Sequence, residues 1–339
     1  MFCFATGGMI LVGSIAQSSP PTKTLLRFER TEAQMGVPFR IVVYATDQSA
    51  ANKALDAAYK RIKELNDIYS DYDPNSELSR LSRSSGQRSS VSVSHELIEI
   101  LHISDKISQL SNGAFDVSVG PYVRLWRRAR RQKQLPDPDR IEAARKSVGH
   151  QFIVVDDKRQ TIQLLRENMR LDLGGIAKGY AADEAMKVLQ EHGINSALID
   201  ASGDLLVSEP PPGQSAWTIG IAALKTPEGE PTEYLKVSNI AIATSGDAYQ
   251  FIEIEGVRYS HIVNPKTGMG LTTHSSVTVV APTATLADAW ASAVSVMGPK
   301  AGLPVIASQP KISALILTLD EENTLSVRSC DFPKTVGAE

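Results

Sequence analysis

The feature that most limits the fold is a change of texture near residue 150. Before Gly149 the apolar residues recur mainly at helical spacing; from Gln151 onward they fall into short strand-like runs. A strand-like run at Val37 to Ala45 is followed by a helix over Ser49 to Tyr69, with Leu55, Ala58, Tyr59, Ile62 and Leu65 on one face. Ser70 to Ser90 is polar and reads as a loop. A second helix over Ser94 to Leu110 has Ser94 as its cap and Leu97, Leu101 and Ile107 as its buried stripe. Asn112-Gly113 marks a turn, Pro121 opens a helix through Trp126, and a short one, Ile141 to Val148, stops at Gly149. Strand-like runs then appear at Phe152 to Val155, Thr161 to Leu165, Arg170 to Leu173, Ala197 to Asp200, Trp217 to Ala222, Phe251 to Glu255, Val257 to Val263, Ser276 to Val280 and Leu315 to Leu319. Only two helices, Gly175 to His192 and Thr285 to Met297, interrupt them. Without regular β-α alternation or an internal repeat, the pattern predicts an α+β fold: one compact two-lobed unit of mixed or antiparallel sheets with flanking helices.

Composition sets the limits of function. The 339 residues are enough for about two domains or one large one. A net charge of −3 supplies no global field for nucleic acid or anionic membrane, so recognition must be local. Cys3 and Cys330 cannot make a disulfide framework. Phe2 to Ala16 carries no charge, and small residues at Ser14 and Ala16 precede Gln17, so residues 1–16 read as a secretory leader. The alternative is a disordered or packed N-terminus, since a basic start is missing. Residues 17–30 then form a spacer and 31–335 the functional domain. The one dense basic run, Arg124, Arg127, Arg128, Arg130, Arg131 and Lys133, could be a nucleic-acid patch; a solvated helix face that steers an anionic ligand explains it with less.

Three segments can carry chemistry. Asp172-Leu173-Gly174-Gly175-Ile176-Ala177-Lys178-Gly179-Tyr180 joins a strand to a helix, where glycines, free N–H groups and Lys178 would make an anion cradle. Its spacing fits neither a P-loop nor a dinucleotide fingerprint, and such a turn can equally serve packing. In Leu286-Ala287-Asp288-Ala289-Trp290-Ala291-Ser292, Asp288 and Ser292 share a helix face and could share a hard cation; alternatively Asp288 complements the helix dipole. In Tyr259-Ser260-His261-Ile262-Val263-Asn264-Pro265, His261 is a general-base candidate or a structural histidine. Ala243 to Asp247 and Ala201 to Asp204 read as short polar turns.

In order and spacing these segments, with Gln34-Met35-Gly36, Ser70 to Leu78 and Gly113 to Pro121, resemble the ApbE-type FAD:protein FMN transferases over about Glu32 to Gly298. The resemblance implies a fold related to the T-fold and Mg²⁺-dependent transfer of FMN from FAD to a Ser or Thr hydroxyl of a target flavoprotein, with release of AMP. It implies an FAD site of Met35, Tyr72, Ala114, Phe115, Asp116, Asp172, Lys178, Ile262 and Ala291, with Tyr72 and Phe115 offering ring faces. It implies Mg²⁺ held by Asp288, the Ser292 hydroxyl and the Gly175 carbonyl, with Lys178 stabilising charge and His261 accepting the proton. The implied partner is a flavoprotein subunit with a Ser/Thr flavinylation motif; no nucleic acid is expected, and membrane association would run only through an uncleaved leader or the target complex. Export to the periplasm is expected, without a lipid anchor, because Ser14 follows Leu11-Val12-Gly13 where a lipoprotein has Cys. Four positions depart from the family pattern: Val37 for Thr, Ser202 for Gly, Asn264 for Asp and Ser292 for Thr. Asn264 would alter the pH response if the family's carboxylate orients His261. Alternatives are an FAD-binding or flavin-trafficking protein, and an Mg²⁺-dependent pyrophosphatase giving FMN and AMP.

Overall fold

Eight strands form one sheet in the order β1-β2-β6-β7-β10-β13-β14-β15, and every neighbouring pair in it is antiparallel. Along the chain β1 (Leu26–Gln34) and β2 (Val37–Ala45) make a hairpin, followed by α1 (Gln48–Tyr69), α2 (Glu77–Arg83), β3 (Val91–Ser92), α3 (His95–Leu110), α4 (Gly120–Gln132) and α5 (Pro138–Arg145). Next come β4 (Ile153–Asp156), β5 (Thr161–Leu164), α6 (Ala177–Glu191), β6 (Ala197–Ala201), β7 (Asp204–Val207), β8 (Trp217–Ile221), β9 (Glu233–Val237) and β10 (Ile240–Gly246). The remainder is β11 (Phe251–Ile254), β12 (Val257–Ser260), β13 (Ser275–Ala281), α7 (Ala284–Ala307), β14 (Ser313–Asp320), β15 (Asn323–Arg328) and β16 (Thr335–Gly337). The computed structural model describes residues 24–224, 229–231, 233–247, 250–320 and 323–337. The expected leader lies outside the described residues. Leu26 to Arg30, expected in the spacer, are the first half of β1.

The period-2 geometry of β2 explains the layering. Phe39, Ile41 and Val43 face a core shared with α1, α6 and α7, whereas Val42 faces Trp217, Ile219 and Leu235 of a smaller sheet, β16-β9-β8. A sheet covered on both faces accommodates the β-branched and aromatic residues of Val37–Ala45 on either side. A third cluster joins Tyr122, Trp126 and Ala129 of α4 to Ile254 and Tyr259 of the β11–β12 hairpin.

Several elements differ from the sequence reading. The polar stretch after Tyr69 contains α2, whose cap Ser76 accepts from Ser79 N–H at 3.0 Å; seven residues are too few for a helical period to show. Arg170 to Leu173 is not a strand: Arg170 makes one bridge to Val119, and Leu171 N–H donates to Ser82 Oγ at 3.1 Å. Ala243 to Gly246, expected as a polar turn, lies in β10 near the middle of the sheet, and there Thr244 and Thr278 pair hydroxyl to hydroxyl at 3.0 Å. Helix α7 continues past Met297 to Ala307, across a break at Gly298 with φ of 68°.

Candidate active site

Strand register brings several of the expected residues to one end of the large sheet. Phe39 pairs with Ala201 and Asp204 with Ala243, so the Met35-Gly36 turn, the Ser202-Gly203 turn and the Ser245-Gly246 end of β10 lie together. Ser202 takes φ of 56° and donates its hydroxyl to Pro38 O at 3.2 Å. Serine at a left-handed position costs roughly 1 kcal/mol where glycine would cost none. The turn hands Asp204, 3% exposed, to the start of α6.

There the chain builds a buried charge centre. Lys178 Nζ donates to Asp204 Oδ2, and Gly179 N–H donates to Asp288 Oδ2 at 3.2 Å. Burial, reinforced by Asp204, pushes the Asp288 carboxyl up to about 7, against the opposing pull of Lys178 and the Gly179 N–H. Burial also raises Asp204, which Lys178 opposes. For Lys178 burial acts downward, but Asp288 and Asp204 outweigh it and the ammonium is held above its ordinary range. Two carboxylates therefore share one buried cation. Asp288 stands in the second turn of α7, beyond the Thr283 cap, so its partners are α6 groups and not the first-turn N–H groups of its own helix.

The two helices are locked to one another. A Cβ at Gly179 would lie 2.2 Å from Ala284 O, so only glycine permits this approach. Asp183, one turn further along α6, accepts from Ala284 N–H at 2.8 Å, from Thr285 N–H at 2.9 Å and from the Thr285 hydroxyl. Gly175 lies against Ser292: a Cβ there would be 2.8 Å from Ser292 Oγ and 3.5 Å from Phe115 Cε2. Among the described residues nothing hydrogen-bonds Ser292 Oγ. An excess buried carboxylate, a free hydroxyl and a glycine backbone at one point suit a hard, oxygen-preferring cation. Among the described residues no three His, Cys, Asp or Glu side chains converge on a metal position, so such a cation would depend on hydroxyl and carbonyl oxygens as well.

A second, more open group surrounds Tyr72. Its ring is 77% exposed and carries the Arg127 guanidinium 4.1 Å from its centroid. Arg127 also donates to Asp172 Oδ2 at 3.1 Å and pairs with Asp71. Asp172 Oδ1 accepts from Gly174 N–H at 2.8 Å; burial raises its carboxyl, Asp71 adds to the rise, and Gly174 N–H and Arg127 oppose it. Arg127 belongs to the basic run that reads as a solvated face. Its position corrects that reading for this one residue: Arg127 turns inward onto Asp172, a contact nothing in the local pattern of the run reveals, while Arg124, Arg128 and Arg131 are exposed.

His261 closes the β11–β12 hairpin. Its Nδ1 lies 3.1 Å from Gln250 O, and a carbonyl can only accept, so Nδ1 carries the proton and Nε2 presents a lone pair. Burial lowers its pKa; the charges of Arg130 and Lys178 act in the same direction, against Gln250 O and Asp247. The neutral base is favoured. Asn264 Oδ1 accepts from Lys266 N–H at 2.9 Å, so this side chain caps its own turn and does not orient His261.

The remaining expected residues are held by the surrounding fold. Phe115 is 6% exposed and supports Gly175, so its ring has no open face for a flat ligand. Asp116 accepts from Ser118 N–H at 2.8 Å, Ser118 Oγ at 2.6 Å and His150 N–H at 2.9 Å, which occupies both oxygens with the loop itself. Ala114 and Ala291 are buried, Met35 packs on the main core from its turn at φ of 51°, and Ile262 N–H donates to Ser260 Oγ at 3.1 Å. Two clefts, of about 480 Å³ beside Tyr180 and Asp183 and about 360 Å³ beside His102 and His150, contain none of the expected site residues. The charge centre is the candidate site, because buried unbalanced carboxylates are the more specific sign of chemistry.

Residues 35–316 match the model of the ApbE family. The chain belongs to the ApbE family. A FAD:protein FMN transferase of Klebsiella pneumoniae is 31% identical over 81% of this chain and 80% of its own length. One from Treponema pallidum is 29% identical over 92% of this chain and 90% of its own. The solved flavin transferase ApbE from Vibrio cholerae superposes with a TM-score of 0.80 at 25% identity, covering 91% of this chain and 98% of that one. The antiparallel α+β architecture is thus that of the ApbE family.

Proposed function

We propose that this ApbE-family protein transfers FMN from FAD to a serine or threonine hydroxyl of a target flavoprotein, releasing AMP. The supporting observation is the buried Lys178, Asp204 and Asp288 centre, with Ser292 Oγ at Gly175, within electrostatic reach of a neutral His261. Tyr72 offers its free ring face to the flat ring system of the flavin, its other face being held by Arg127. Asp288, Ser292 Oγ and the Gly175 carbonyl would hold Mg²⁺, which supplies neutralising charge to the diphosphate when bound. Lys178 holds a permanent positive charge beside the departing AMP phosphate. His261 Nε2 takes the proton of the incoming hydroxyl; the hydroxyl oxygen bonds to the FMN phosphorus as the bond from that phosphorus to the AMP oxygen breaks. Export of the protein, proposed from residues 1–16 alone, would place the acceptor outside the cytoplasm.

The test is incubation of the full chain with FAD, Mg²⁺ and a peptide or domain bearing a Ser/Thr flavinylation motif, followed by mass spectrometry. A mass increment of one FMN with equimolar AMP is expected. AMP without adduct would reassign the protein as an FAD pyrophosphatase, and tight FAD binding with neither product as a flavin carrier.

A further inference from the structure

Helix α4 presents an uncompensated positive face next to the proton acceptor. Its inner side is fixed: Tyr122, Trp126 and Ala129 pack on Ile254, Tyr259 and Val263, and Trp126 Nε1 donates to Gly268 O at 2.8 Å. At about 100° per residue, Arg130, Arg127, Arg131, Arg124 and Arg128 cover roughly 160° of the outer side. Arg127 is committed to Asp71 and Asp172, but among the described residues no carboxylate pairs with Arg124, Arg128, Arg130 or Arg131. The charge of Arg124 acts on Arg170 near the Tyr72 loop, and that of Arg130 on His261. The face thus borders the site from its flavin end to its base. Such a concentration within a chain of net charge −3 costs self-repulsion unless something negative comes to it.

We propose that this face is the docking surface for an acidic segment of the acceptor protein, seated so that its hydroxyl reaches His261. The proposal rests on the transferase reading for the identity of the occupant, and on charge complementarity for its chemistry. Carboxylates flanking the acceptor hydroxyl would lie along Arg131, Arg124 and Arg128, and the field would speed encounter more than it deepens affinity. A nucleic acid or an anionic membrane would meet the same charges without bringing a protein hydroxyl to Nε2.

The experiment uses the full chain and two fluorescein-labelled peptides of about 15 residues, long enough to span the helix. Both contain one serine; one has glutamates around it, the other glutamines at the same positions. Anisotropy should show the acidic peptide binding about tenfold tighter than the amide peptide at low salt, with most of that preference lost at several hundred millimolar. The Arg128→Glu/Arg131→Glu variant should lose the preference, and Arg128→Lys/Arg131→Lys should keep it, with FAD binding by flavin fluorescence as the control for folding. Equal binding of the two peptides, or an unchanged preference in the reversed variant, would overturn the proposal. So would tighter retention of a single-stranded RNA or of phosphatidylglycerol vesicles than of the acidic peptide. If the acidic peptide binds as expected but no FMN transfer occurs to any acceptor, the docking surface stands and the transferase reading falls.

Discussion

The two halves of the site are built differently. The α6–α7 half is closed: Gly179 touches the Ala284 carbonyl, Asp183 accepts three bonds from the start of α7, and Asp204 and Asp288 are almost fully buried. The α4 half is open: Tyr72 stands in solvent and is held by one guanidinium. A centre of unbalanced charge must be imposed by its surroundings, because left free it would relax by admitting water or a proton. A platform for a flat ligand needs only one side supported. Substitutions in the closed half should therefore change chemistry and folding, and those in the open half should change binding.

The largest effect is expected at Asp288. Asp288→Ala should abolish Mg²⁺-dependent transfer, a loss on the order of 10³-fold or more, since a metal contributes several kcal/mol to charge stabilisation. The metal-free protein should meanwhile lose little stability, because removal of a buried excess carboxylate offsets the acceptor lost to Gly179 N–H. Its Asp288 carboxyl is pushed up by burial and by Asp204, so removing it leaves Lys178 and Asp204 as a balanced pair. Thermal unfolding in chelator, compared with activity in Mg²⁺, measures both; Mg²⁺-dependent activity retained by the variant would show that the metal ligands lie elsewhere.

His261→Ala should lower transfer by about 10² to 10⁴-fold with FAD affinity unchanged, the range typical of a removed general base. The sign of the pH response follows from its lowered pKa. The imidazole is neutral at about pH 7, so at saturating Mg²⁺, which keeps Asp288 ionised, the wild-type rate should be flat there and above, and should fall only as pH drops below the ordinary histidine range near about 6.5. A rate that keeps rising through pH 8 would assign the proton to another group.

Gly179→Ala tests the lock between the helices. Its methyl would meet backbone and not a movable side chain, so a destabilisation of about 3 kcal/mol is expected by urea unfolding. Metal-dependent activity should fall further than the stability loss explains, because α7 must shift and carry Asp288 and Ser292 away from Lys178. An alanine variant as stable as the wild type would mean that the helices are free to slide.

How far the sequence revealed this site depends on whether a residue acts through its neighbours in the chain or across the fold. Ser94 as a cap, Val37–Ala45 as a strand, and Asp288 with Ser292 on one helical face all follow from local spacing, and all hold. Partners do not follow. Asp204 meets Lys178 across 26 residues, Arg127 meets Asp172 across 45, and Asp183 meets Thr285 across 102. Phe115 shows the same limit from the other side: its residue type suggests a stacking face, and only the packing behind Gly175 shows that it is a support.

Arg127→Ala gives the smallest effect and tests the open half most directly. The guanidinium holds the back of the Tyr72 ring and opposes the rise of the Asp172 carboxyl that burial and Asp71 cause. Without it the ring is free to turn and Asp172 binds a proton more readily. An exposed cation–π contact is worth about 0.5–1 kcal/mol and a partly exposed ion pair a similar amount, so FAD affinity should fall roughly three- to tenfold. Arg127→Lys should recover part of that loss, since it restores the charge near Asp172 without the planar stack. Titration of flavin fluorescence at saturating Mg²⁺, with kcat measured at saturating FAD, separates the outcomes. A fall in affinity at nearly constant kcat sets the open half apart as the binding half. A loss confined to kcat would mean that Arg127 acts on the charge centre itself, and the distinction between the two halves would fail.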